Sequence, residues 1–146
     1  MDNLKNLFAC LVMYKHNLQI LHWNSTGIDF SSAHEETDEY IDKFEKMIDE
    51  VGEIIKSLGG NPIGLKDCIE ILEKDTTEIY FGADASHDYN YEEVLESIDK
   101  MFEDLIKLYT KCHEDSSIDI FNKSKLHKHG YYCMVEGSYK TKAKRK

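Results

Sequence analysis

SSAHEETDEYIDKFEKMIDEVGEIIKSLGG, residues 31–60, decides how this chain folds. Tyr40, Ile41, Phe44, Met47, Ile48, Val51, Ile54, Ile55 and Leu58 recur at steps typical of a helix with one buried face. Ser31 or Ser32 suits the N-cap, Glu35 and Glu36 suit the positive end of the helix dipole, and Gly59 can adopt the left-handed conformation that closes the helix. On a wheel of about 100° per residue with His34 at zero, the apolar set covers roughly 200–340°. His34, Asp38, Asp49 and Glu53 fall between zero and roughly 100°, on a face the core does not claim.

Working outward, Leu4, Leu7, Phe8, Leu11, Leu18 and Leu21 predict a first helix from Asn3 to Asn24. Pro62, the single proline, sits in the turn Gly59-Gly60-Asn61-Pro62-Ile63-Gly64. A short connecting helix is expected over Lys66–Glu73, a third long helix over Tyr91–His113, and a fourth from near Ser117 to about Tyr139. The fold class is therefore all-α: a four-helix bundle with a short helix in the crossover between helices two and three, a connection long enough for those helices to run parallel. The expected organisation is one domain, residues 1–139, followed by a basic C-terminal tail, residues 140–146.

Charge is distributed unevenly. The chain carries 18 Lys and Arg against 28 Asp and Glu, a formal net charge of -10. Lys140, Lys142, Lys144, Arg145 and Lys146 all lie in its last seven residues. An acidic body attracts cations and repels nucleic acid, whereas a basic tail can contact phosphate without sequence preference. No apolar run is long enough to span a membrane. The four cysteines contain no CxxC pair, which predicts reduced thiols and a cytoplasmic protein.

The chemistry lies in His22-Trp23 and in His34, twelve residues after His22. Imidazole combined with helical carboxylates at Asp38, Asp49 and Glu53 is a ligand set that suits iron. One copy cannot gather them, because His34 and Glu53 lie roughly 28 Å apart along one helix. They are, however, symmetric about the Lys43–Phe44 peptide, as are Asp38 and Asp49. A two-fold axis there would set His34 against the partner's Glu53 and create two equivalent sites per dimer. Asp42 and Glu45 obey the same symmetry and would crowd acids near the axis. The competing reading is an ordinary solvated acidic face.

His22-Trp23-Asn24, Gly27, Phe30, His34-Glu35, Asp38, Asp49, Glu53 and Leu58-Gly59-Gly60-Asn61-Pro62 resemble the Dps mini-ferritins, DNA-binding proteins of starved cells within the ferritin-like superfamily. The resemblance covers about residues 14–62 in register; the fourth-helix region, with Lys128-His129 and Tyr131-Tyr132, follows the family loosely. It implies metal ligands His22, His34 and Asp38 from one subunit, with Asp49 and Glu53 from its two-fold mate. It further implies binding and oxidation of Fe(II) by hydrogen peroxide or oxygen, storage of ferric iron in a hollow homododecamer, and protection against oxidative damage. Trp23 would stand beside the site as an auxiliary residue, its alternative being a core aromatic. Asp115 and Asp119 resemble acids that line the family's three-fold pores, against the alternative of helix capping. The tail is a candidate for non-specific DNA binding. The larger ferritins use Glu-x-x-His motifs, and no Glu here precedes a His by three residues. The rival function is a ferritin-like structural or interaction protein without ferroxidase activity.

Overall fold

Leu4, Leu7, Leu11, Leu18 and Leu21 are wholly buried and form one stripe of α1 (Asp2–Asn24), the helix against which the others assemble. The protein is described by a computed structural model covering residues 1–75, 78–124 and 130–145. After α1 come α2 (Phe30–Ser57), α3 (Leu65–Lys74), α4 (Tyr91–Glu114), a 3₁₀ segment (Ser116–Lys123) and α5 (Tyr132–Lys144). α1 packs against α2, α3 and α4, while α5 packs on α4. The predicted all-α bundle with a short crossover helix is therefore observed. Among the described residues, no helix is long and apolar enough to cross a membrane.

Side-chain contacts fix the helix directions. Tyr14 meets Asp104, and Asn3 meets Asp115, so α1 and α4 are antiparallel. Lys15 meets Glu45 and His22 meets Thr37, so α1 and α2 form an antiparallel hairpin. Glu36 meets Tyr91 and Met47 meets Tyr109, which makes α2 and α4 parallel. The crossover reaches the start of α4 along the end of α1. Asn17 Nδ2 donates to the Phe81 carbonyl, Asn24 Nδ2 donates to the carbonyls of Ala85 and His87, and Ser25 pairs with Tyr89 in a parallel bridge.

α2 begins at Phe30 with Asp29 at the cap and no side-chain cap bond, so neither Ser31 nor Ser32 performs the expected role. Gly59, at φ +84°, takes the expected left-handed conformation. α4 starts with the reciprocal Asn90–Glu93 capping box.

The expected fourth helix is the main correction. It does not run unbroken from Ser117 to Tyr139. Residues 116–123 instead wind as a 3₁₀ segment broken at Ile118 (φ -125°, ψ 43°), and the last helix begins at Tyr132. Ile118 and Phe121, three residues apart as the tighter winding requires, both enter the core. Ser124 Oγ donates back to the Phe121 carbonyl, a local bond that competes with helix continuation. The family-like Lys128-His129 pair lies outside the described residues.

α5 also extends further than expected, through Lys144, so residues 140–144 are its final turns. Lys140 pairs with Glu136 at 2.8 Å, Lys142 with Glu103 at 2.9 Å, Lys144 with Glu36, and Arg145 with Asp99 at 3.0 Å. Lys146 lies outside the described residues. An open groove of about 670 Å³ separates α2 from α5 and includes Tyr40, Lys43, Met47 and Cys133 in its walls.

α5 reaches α4 closely because position 137 is glycine. A methyl group there would stand 2.4 Å from Phe102 Cε2, well inside contact distance. Gly137→Ala is expected to cost about 1–3 kcal/mol as overpacking. Urea denaturation checks it, and an unchanged midpoint would refute the close approach.

Candidate metal centre

The α1–α2 hairpin forms the site. α1 ends at Asn24, a five-residue turn containing Gly27 (φ +96°) reverses the chain, and α2 begins at Phe30. His22 in the last turn of α1 therefore faces His34 in the second turn of α2. Their rings stack with centroids 3.6 Å apart and an interplanar angle of 27°. The Phe30 ring also lies near His34, tilted by 33° with 5.2 Å between centroids. Both histidines are half-buried. His34 Nδ1 is shielded from solvent and has no hydrogen-bond partner among the described residues.

His22 Nδ1 lies 3.0 Å from the His34 carbonyl oxygen and 2.9 Å from Thr37 Oγ1. Thr37 is wholly buried, and its hydroxyl reaches the Ala33 carbonyl at 2.8 Å. Sequence reasoning missed Thr37 because a threonine inside an acidic helical stretch carries no metal-ligand signature. Its position can be recognised only after the hairpin has brought His22 alongside it.

Asp38 is exposed one turn beyond His34. Asp49 and Glu53 are exposed further along α2, where they border an open concavity of about 470 Å³ with Glu50, Ser57 and Ser124. The structure thus brings His22 and His34 together, keeps Asp38 nearby, and holds Asp49 and Glu53 at the other end of the same helix. Among the described residues, no three His, Cys, Asp or Glu side chains form a group that could hold a metal ion. The donor types suit iron, and the described residues of one chain do not gather them at one point.

Two neighbouring acids each carry a cation of this chain. Asp42 pairs with Lys46 at 3.3 Å and Glu45 with Lys15 at 3.0 Å. Trp23 is no core aromatic: it is 64% exposed and meets the edge of His16 at 6.5 Å. Asp115 accepts from Ser117 N–H, Ser117 Oγ and Asn3 Nδ2, bonds that hold its carboxyl below the usual range. It is thus seen in the capping role, while Asp119 is exposed in the first turn of the 3₁₀ segment.

Cys10, Cys68 and Cys112 are buried free thiols and Cys133 is a half-buried one. Burial pushes the Cys112 thiol up to about 12, which keeps it protonated.

Residues 1–118 match the family described as the ferritin-like domain. A DNA protection during starvation protein of Helicobacter pylori is 29% identical over 108 residues, covering 70% of this chain and 72% of that protein. The protein of the same name from Porphyromonas gingivalis is 42% identical over 59 residues, covering 40% of this chain and 37% of its own length. Antigen TpF1 of Treponema pallidum superposes with a TM-score of 0.85 at 17% identity, covering 99% of this chain and 90% of the antigen. A Dps protein of Bacillus brevis gives 0.71 at 20% identity, over 99% and 93% of the two chains. At these identities the solved structures show a shared fold.

Proposed function

We propose, on the premise that the chain belongs to the family of ferritin-like domains, that it is a Dps-type mini-ferritin that oxidises Fe(II) and stores the ferric product. The observation that carries this reading is the stacked His22–His34 pair with Asp38 one turn away, an incomplete ligand set on a helix whose Asp49 and Glu53 lie near the opposite end. In the proposed dimer, His22, His34 and Asp38 of one subunit meet Asp49 and Glu53 of the partner subunit. Two sites per dimer follow from the two-fold symmetry.

Each set of residues has a distinct task. The imidazoles offer neutral nitrogen donors that hold the ferrous substrate. The carboxylates favour the higher charge of the ferric product, which makes electron loss easier. Two ferrous ions each give one electron to peroxide, its O–O bond breaks, and two protons complete two water molecules. Hydroxyl radical is bypassed because both electrons are delivered together. Trp23, exposed next to His22, is placed to intercept stray one-electron oxidants.

Assembly into a hollow homododecamer, in the cytoplasm, completes the proposal. Apolar exposure supports association: Ile28 and Phe30 lie at the hairpin, and Leu65 and Ile69 lie one turn apart on α3. The test is anaerobic Fe(II) loading followed by peroxide. Wild type is expected to oxidise two Fe(II) per peroxide rapidly, with His22→Ala at the buffer rate. Equal rates would overturn the site.

DNA binding through the C-terminal basic residues is a weaker second reading, with Lys140, Lys142, Lys144, Arg145 and Lys146 as its carriers. The first four are already engaged by carboxylates of this chain, so phosphate has to displace them. Binding driven by these residues should appear near 50 mM salt and fade by about 200 mM. A mobility-shift series checks this expectation, and retention of DNA independent of salt would refute it.

A further inference from the structure

We infer that Thr37 is a positioning residue that fixes which nitrogen of His22 faces the metal. The inference rests on the proposed metal centre but is argued from contacts within one chain. His22 Nδ1 lies 3.0 Å from the His34 carbonyl oxygen, and a carbonyl can only accept. Nδ1 therefore carries the hydrogen. Thr37 Oγ1, 2.9 Å away, spends its single proton on a backbone carbonyl, Ala33 at 2.8 Å or His34 at 3.1 Å. A lone pair of that oxygen is left facing Nδ1. A neutral imidazole has one N–H, so Nε2 keeps the lone pair that a metal requires.

One lone pair of the His34 carbonyl serves the helical ladder of α2 and the other faces Nδ1, so the carbonyl and the nearer Thr37 oxygen share the Nδ1 hydrogen. Thr37 is 0% exposed, so bulk water does not replace its hydroxyl once removed. Valine preserves its shape and deletes the acceptor; serine preserves the acceptor.

The test uses the assembled, metal-free protein labelled with ¹⁵N-histidine, with His22 assigned by difference against His22→Gln. Wild type is expected to show protonated Nδ1 and unprotonated Nε2. Thr37→Val should raise the fraction of the opposite tautomer, with the His34 carbonyl still holding the remainder, and Thr37→Ser should restore the wild-type signature. Thr37→Ala provides the same comparison should valine prevent folding. An unchanged His22 signature in the folded variant lacking the hydroxyl, or protonated Nε2 in wild type, would overturn the inference. Anaerobic calorimetry with Fe(II) alone adds a second readout: about tenfold weaker binding in Thr37→Val, recovered by Thr37→Ser. Undiminished Fe(II) binding by His22→Gln would overturn the metal-centre reading instead, while the tautomer result would still decide the role of Thr37.

Discussion

Mixing two inactive variants, His34→Ala and Glu53→Ala, is expected to restore about a quarter of wild-type Fe(II) oxidation under conditions that allow subunits to exchange. In the proposed dimer each variant alone spoils every site, because every site would need His34 from one subunit and Glu53 from the other. In a mixed dimer, one site collects both damaged positions and the other collects neither. Random exchange makes half of the dimers mixed, and each of these holds one intact site of two. Peroxide-dependent Fe(II) oxidation, measured before and after exchange, is the readout. A mixture as inactive as its components would place all the ligands within one chain, whereas an active Glu53→Ala variant would discard Glu53 as a ligand. The same α2 geometry argues against the first alternative, since His34 and Glu53 remain at opposite ends of an uninterrupted helix.

Phe102→Ala is expected to destabilise the folded protein by about 3–5 kcal/mol. Phe102 is wholly buried at the junction of three helices. Its ring meets Tyr40 edge-on at 4.9 Å and lies against Phe44 at 6.0 Å, while Gly137 of α5 closes over it. Deleting the ring leaves a cavity that α5 cannot fill without shifting its whole packing face. At roughly 2–4 °C per kcal/mol for a chain of this size, the melting temperature should drop by about 6–20 °C. Chemical denaturation gives the direct value, and a loss under about 1 kcal/mol would contradict the packing. Phe102→Leu should recover a large part of the difference.

The long helices were legible because their signals are local and repeated. The apolar spacing of residues 40–58 identifies the buried face of α2, and the leucines of α1 do the same. The last helix was less legible. Its region mixes Ser116, Ser117 and Ser124 with isolated apolar residues, and its winding depends on Ile118 and Phe121 reaching a core made by other helices. The candidate site divides in the same manner. His22 and His34 were singled out by their spacing together with the resemblance of the surrounding motif. Thr37 could not be, because its relation to His22 exists only across the hairpin. Whether the C-terminal cations were available was equally hidden, since Asp99 and Glu103 are distant in sequence from Lys142 and Arg145.

The short hairpin that stacks His22 on His34 has a consequence for the life of the chain. Contacts this close in sequence form early, because little loop entropy opposes them. The nitrogen half of the centre can therefore be shaped while the rest of the polypeptide is still being made. In the proposed dimer, Asp49 and Glu53 arrive only with a second finished subunit. An unassembled chain would thus hold ferrous iron weakly and without the groups that favour its oxidation. In the proposed assembly, oxidation begins only once a compartment exists to receive the product.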